Sequence, residues 1–139
     1  MNNMVKLWWL LLLSQRMTTV VKKTTGGGGY RILVKGAPEM LMPHCTYALT
    51  NNTDNNNNNN KDPIIEPLTD YMKVEILGRV TDYASMGLRT ILAGYRDVTD
   101  MPGDLPVEEI EKDLILVTVF GIEDPVRPEV PEAIEVGLG

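Results

Sequence analysis

Residues 30–39 read Tyr30-Arg31-Ile32-Leu33-Val34-Lys35-Gly36-Ala37-Pro38-Glu39, and this stretch decides the fold. Its first half alternates: Tyr30, Ile32 and Val34 share one face, Arg31 and Leu33 the other. That period of two is the signature of a strand. Gly36-Ala37-Pro38-Glu39 then changes the geometry. Proline is accepted in the first turn of a helix, and a glutamate there suits the positive end of the helix dipole. A short helix to about Pro43 is expected. Upstream, residues 17–23 hold the β-branched run Thr18-Thr19-Val20-Val21, a second strand. Between the strands lies Thr24-Thr25-Gly26-Gly27-Gly28-Gly29, and glycines tolerate the positive φ of tight hairpins. The two strands therefore form a hairpin. A phosphate-loop reading of the glycines fails, because no Lys-Ser/Thr follows and the run joins two strands.

Downstream, residues 51–60 read Asn-Asn-Thr-Asp followed by six asparagines. A polar tract buries too little apolar surface to offset its ordering entropy, so 48–62 is expected to be a disordered surface loop. Residues 66–86 carry Leu68, Met72, Ile76, Val80 and Tyr83 at three- and four-residue steps, an amphipathic helix ended by Gly87. Residues 88–95 read as a strand. The acidic, Pro/Gly-bearing residues 97–113 read as loop with one helical turn. Residues 114–122, nearly all apolar, predict a strand buried on both faces. Pro125, Pro128 and Pro131 precede a short helix over about 129–136. The fold class is α/β (α+β), a mixed, mainly antiparallel sheet with helices packed on it.

The chain has 139 residues, about one domain's worth, with 43% hydrophobic and 23% charged residues. Its net charge of -6 disfavours nucleic acid and anionic membranes, which repel an acidic chain, but leaves room for a local basic pocket holding one small anion. One cysteine, Cys45, and one histidine, His44, exclude a disulfide framework and a Cys/His zinc site. Both are read as structural. Glu108, Glu109, Glu111 and Asp113 read as a solvated acidic patch. The longest apolar run, residues 7–13, is too short to span a bilayer.

Three segments ask for more than a structural role. Lys35-Gly36-Ala37-Pro38-Glu39 places a lysine at a strand end, Gly87-Leu88-Arg89-Thr90 places an arginine at a strand start, and Asp124-Pro125-Val126-Arg127-Pro128 is a charged, proline-stiffened hinge. A lysine and an arginine at one sheet edge suit an anionic ligand, the first as a point charge, the second as a bidentate fork.

These segments occur in order with Arg16-Met17-Thr18-Thr19-Val20-Val21, Tyr83-Ala84-Ser85-Met86, Ala93-Gly94-Tyr95-Arg96-Asp97 and Gly121-Ile122-Glu123-Asp124-Pro125-Val126-Arg127-Pro128-Glu129-Val130-Pro131. The ordered set resembles the nucleotide-binding domain of P-type ATPases, in particular plasma-membrane-type calcium pumps. The resemblance implies a domain that holds ATP and presents its γ-phosphate to an aspartate in a neighbouring domain, forming a covalent aspartyl phosphate. It implies that Lys35 borders the adenine pocket, Gly36 allows close approach, Arg89 contacts ribose or phosphates, and Ile91 packs on the base. Asp124 and Arg127 would lie at the hinge to the phosphorylation domain. On this reading residues 1–15 form a non-matching apolar segment. Residues 16–121 are a partial nucleotide-binding domain, and 122–139 the hinge and start of the phosphorylation domain.

The family's Asp-Lys-Thr-Gly, Thr-Gly-Asp and Gly-Asp-Gly signatures are missing from the sequence, and both edges leave the family pattern, as a fragment's would. Upstream of Arg16, where the family shows an aromatic residue that stacks on adenine, Trp8 or Trp9 would substitute with the register shifted by a residue or two. The chain alone is therefore expected to bind ATP without catalysis, with no catalytic or metal residue of its own and Mg²⁺ needed only in the full parent. That parent would move Ca²⁺ across the plasma membrane or that of an internal store, with this domain facing the cytoplasm. The alternative is a short, non-catalytic nucleotide-binding or interaction module.

Overall fold

A computed structural model describes residues 16–51 and 63–123. The expected hairpin is present: β1 (Arg16–Lys22) pairs antiparallel with β2 (Tyr30–Gly36), from Arg16 opposite Gly36 to Lys22 opposite Tyr30. Its turn uses the glycines as anticipated. Gly26 to Gly29 all take positive φ, and the Lys23 N–H closes the turn on the Gly29 carbonyl at 2.9 Å. Gly29 is also required sterically, since a Cβ there would stand 2.5 Å from the Val98 carbonyl oxygen.

After β2 come α1 (Pro38–Leu41), led by its proline, and a single 3₁₀ turn (Met42–His44). β3 (Cys45–Asn51) and β4 (Pro63–Pro67) form an antiparallel pair. α2 (Asp70–Ser85) leads into β5 (Arg89–Val98), then α3 (Val107–Ile110) and β6 (Leu114–Ile122). The sheet order is β1-β2-β5-β6-β3-β4, with β3 and β6 parallel and every other pairing antiparallel.

α2 is bounded by its own chemistry. The Thr69 hydroxyl accepts the Met72 N–H at 3.3 Å, an N-cap. At the other end Gly87 takes φ 75°, Leu88 N–H donates to Tyr83 O and Gly87 N–H to Ala84 O, both at 3.0 Å. This is the paired bonding of a Schellman turn. Two residues after Gly87, Arg89 opens β5.

All the helices cover the same side of the sheet. Leu41, Met42, Leu68 and Ile110 join Ile32, Val34, Leu92, Leu114 and Leu116 in one core, with Met72 and Ile76 packed against it. Ile32, Leu41, Leu92 and Leu114 are completely buried. In β2 burial alternates residue by residue, Ile32 and Val34 inside, Leu33 and Lys35 outside, as a half-covered strand must.

Four expectations need correction. Residues 48–51 belong to β3 rather than to a surface loop, and the segment resumes as β4 at Pro63. The asparagine tract separates two strands that pair with each other, and β3 has a second partner, β6, far away in sequence. Residues 52–62 lie outside the described residues. The long helix begins at Asp70 rather than Glu66, because Glu66 and Pro67 are held in β4 by Ala48 and Tyr47. β6 is buried at Leu114 and Leu116 only. An extra residue, Val117, bulges between the pairs Gly94–Leu116 and Ala93–Thr118, and beyond it Phe120 and Ile122 face outward. Glu111 is not solvated: it is 1% exposed. The expected helix at 129–136 and the segment 1–15 lie outside the described residues.

At the hairpin end of the sheet, Asp97 sits opposite Arg31 in register. Arg31 Nε and Nη2 reach its two oxygens at 2.7 and 2.9 Å, and Lys23 Nζ adds a third contact at 2.8 Å. Arg31 also stacks over the Tyr95 ring, 4.3 Å from its centroid. The Arg31 hydrogen bonds, reinforced by Lys23, lower the Asp97 pKa to about 2. A lowered folded-state pKa contributes stability that is complete above the ordinary aspartate range of roughly 4 and is lost as pH falls through the folded value. Because the Asp97 side chain is 35% exposed, the contribution is modest. Urea unfolding of the wild type should weaken between pH 4 and pH 2 more steeply than that of Asp97→Asn; parallel profiles would refute the assignment.

Candidate functional site

β1 begins, β2 ends and β5 begins at the same end of the sheet, because Arg16, Gly36 and Leu92 stand in one register row. A hollow of about 500 Å³ opens there. Lys35 and Gly36 reach it from β2, and Arg89, Thr90 and Ile91 from β5. Arg16, Met17 and Ala37 complete the lining. The four residues singled out in the sequence, Lys35, Gly36, Arg89 and Ile91, are thus brought together from two segments more than fifty residues apart in sequence. Asp124 and Arg127 lie outside the described residues.

The local sequence explains each placement. Lys35 is an exposed position of β2, flanked by Met17 of β1 and Ala93 of β5. Gly36 is buried at the strand end, where the chain turns into α1 through Ala37 and Pro38. The Ala37 carbonyl accepts the Met40 and Leu41 N–H groups at 3.0 and 3.1 Å, which pins that turn. Arg89 is set by the Schellman turn of α2, and Ile91 is half-buried opposite Phe120 of β6.

Arg16 and Met17 were not among the expected site residues. The signal was available: closing the hairpin on its glycine turn puts Arg16 opposite Gly36 and Met17 opposite Lys35. Arg16 Nη1 lies 2.9 Å from Glu111 Oε2, and the two side chains are 13% and 2% exposed. The Thr18 hydroxyl donates to Glu111 Oε1. The Arg16 contact is an ion pair off the hydrogen-bond line: neither Arg16 Nε nor Glu111 Oε2 completes a hydrogen bond among the described residues. Arg96 holds the same segment from β5, donating to the Lys112 and Glu109 carbonyls at 2.9 and 3.3 Å.

The lining is chemically lopsided. Met17, Ala37 and Ile91 are apolar, Lys35, Arg16 and Arg89 are cationic, and no lining side chain is acidic. Such a wall suits a ligand with a flat apolar part and an anionic part. Among the described residues no group of three or more His, Cys, Asp or Glu side chains could hold a metal ion. Cys45 is buried in the core, where desolvation raises its pKa to about 11, and its thiol donates to the Leu41 carbonyl at 3.4 Å. Among the described residues no helix is long and apolar enough to cross a membrane.

The family model described as P-type ATPase, cytoplasmic domain N, matches residues 14–129. Plasma membrane calcium-transporting ATPase 3 of Rattus norvegicus is 38% identical over 113 residues, covering 76% of this chain and 8% of that protein. Probable calcium-transporting ATPase 6, plasma membrane-type, of Oryza sativa is 36% identical over 100 residues, covering 72% of this chain and 9% of that protein. Calcium-transporting ATPase 2 of Cryptococcus neoformans is 35% identical over 117 residues, with 76% and 8% covered. The chain spans less than a tenth of the length of these relatives.

The Arg16–Glu111 pair has a measurable consequence. Removing one member of a buried pair leaves the other charge desolvated, at a cost of about 3 kcal/mol. Glu111→Ala should lose about that much in urea unfolding, and Arg16→Ala somewhat less, because its partner retains the Thr18 bond. The double variant should fall short of the sum of the two losses. Additive losses would show that the two side chains are not coupled.

Proposed function

The chain belongs to the P-type ATPase cytoplasmic domain N family, and from that premise we propose that its hollow binds ATP. The observation that carries the reading is the pairing of an apolar wall with Lys35 and Arg89 in one hollow. Ile91 and Met17 would receive the base. Lys35 would border the base pocket at the strand end, with Gly36 letting the nucleotide approach the backbone. Arg89 would meet the ribose or phosphates, its guanidinium matching phosphate oxygens two at a time. Arg16, tied to Glu111, would wall the hollow rather than compete for the ligand.

We infer that the chain does no chemistry on the phosphates itself. It would serve as the ATP-holding part of a longer calcium-transporting pump, as the names of its relatives indicate for those proteins. The aspartate that accepts the phosphoryl group, the Mg²⁺ that accompanies it and the ion path would lie elsewhere in that protein. Residues 16–121 would form most of the nucleotide-binding unit. Residues 122–139, with Asp124 and Arg127, would lead through the hinge toward the phosphorylation unit. The longer protein would sit in the plasma membrane or an internal calcium store, with this domain on the cytoplasmic side.

Titration with ATP, followed by calorimetry, tests the assignment. Losing one charge-assisted phosphate or base contact costs about 1.4 kcal/mol, so Lys35→Ala should weaken ATP about 10-fold while leaving the thermal unfolding temperature in place, since Lys35 is exposed. Equal titrations of wild type and Lys35→Ala would remove Lys35 from the site. Indifference of the wild type to millimolar ATP would favour the interaction-module reading.

A further inference from the structure

Arg16, Lys35 and Arg89 all border the hollow, but they reach it from different sides of the sheet. Lys35 pairs with Ala93, and Arg89 precedes Ala93 by four residues, so strand alternation puts Lys35 and Arg89 on the open side. Arg16 has the parity of Val20, which packs against the core, so it stands on the covered side with the segment around α3. There it meets Glu111. Glu111 is firmly placed. Thr18 donates to its Oε1, Arg96 grips the Glu109 and Lys112 carbonyls to either side, and Ile110 is buried in the core. Arg16 is held less firmly. Its contact with Glu111 Oε2 is an ion pair with no hydrogen bond along it, and Glu111 is its ion-pair partner among the described residues. Well-packed apolar side chains of similar volume serve stability as well as a buried ion pair does, so stability alone does not account for two enclosed charges here.

We propose, resting on the nucleotide assignment of the hollow, that Glu111 sets how strongly the hollow discriminates among nucleotides by their phosphate charge. Glu111 is not part of the lining. It acts through Arg16, as a positioning residue: it neutralises Arg16 and keeps it on the covered side, which leaves Lys35 and Arg89 to meet the phosphates. Freed from its carboxylate, Arg16 becomes a third cation at the rim, beside Gly36, its register partner, which has no side chain to screen it. Coulombic attraction grows with the charge of the ligand, so a third cation favours each added phosphate and leaves the uncharged nucleoside alone. Glu111→Gln is the substitution that releases Arg16 with the least disturbance. The glutamine oxygen still accepts from Thr18, while its amide nitrogen turns a donor toward the donors of Arg16.

Calorimetric titration of the full chain with adenosine, AMP, ADP and ATP tests this. In Glu111→Gln, ATP should bind about 10-fold more tightly than in the wild type, the worth of one further charge-assisted contact. The gain should shrink through ADP and AMP, and adenosine should stay within about two-fold of its wild-type affinity. Adding Arg16→Gln to Glu111→Gln should abolish the gain. The double variant carries the same net charge at this place as the intact pair, so its ratio of ATP to adenosine affinity should match that of the wild type. It also leaves no enclosed charge alone, and so it reports even where Glu111→Gln by itself does not fold. A ratio about 10-fold lower in the double variant would show that Arg16 already meets the phosphates, and overturns the proposal. So does an equal change for all four ligands in Glu111→Gln, which is the mark of a distorted hollow, and so does no change for any of them. Wild type that ignores both ATP and adenosine overturns the nucleotide assignment itself, and the proposal with it.

Discussion

The antiparallel ladder between β2 and β5 is the constraint on which the rest depends. It brings Lys35 beside Ala93 and Gly36 beside Leu92, and so joins the two halves of the hollow. It sets the parity of both strands, placing Ile32, Val34 and Leu92 under the helices and Leu33 and Lys35 on the opposite side. Two anchors on β5 point in opposite directions: Arg96 ties the segment around α3 to the covered face, and Asp97 locks Arg31 and Lys23 on the other. A one-residue slip in this pairing would exchange the two faces and scatter both anchors.

The hollow is a by-product of where elements stop. β2 ends at a glycine because a proline-led turn follows, and β5 starts where the Schellman turn of α2 releases the chain. Neither end needs the ligand in order to form. Most of the lining therefore belongs to a pre-organised sheet end, which limits the ordering cost of binding. Arg16 is held there by Glu111, an ion pair enclosed by protein and completed by Thr18.

Much of this was legible in the sequence where the determinants are local. The hairpin followed from β-branched residues around four glycines, and the end of α2 from Gly87 in its helical period. Lys35, Gly36, Arg89 and Ile91 were reached through the ordered resemblance, and they line one hollow. What escaped depends on distant partners. β3 alternates too weakly to announce itself beside an asparagine tract, and it pairs in parallel with a strand about 70 residues away. Glu111 looked like one carboxylate in an acidic run, because the arginine that buries it belongs to the first described strand. Phe120 looked like core because a continuous apolar run carries no record of which face will be left uncovered.

β6 joins what would otherwise be two separate sheets. β1, β2 and β5 form one antiparallel group and β3 with β4 another, and β6 alone borders both. It is also the last described strand in chain order. During synthesis two of the five strand pairings wait for β6, and the sheet closes only when it arrives. The slow step of folding should be that closure, since contacts spanning so much chain are the costliest in loop entropy. Until β6 emerges, the nascent chain presents the unpaired edges of β5 and β3, a period in which a holding chaperone has the most to offer.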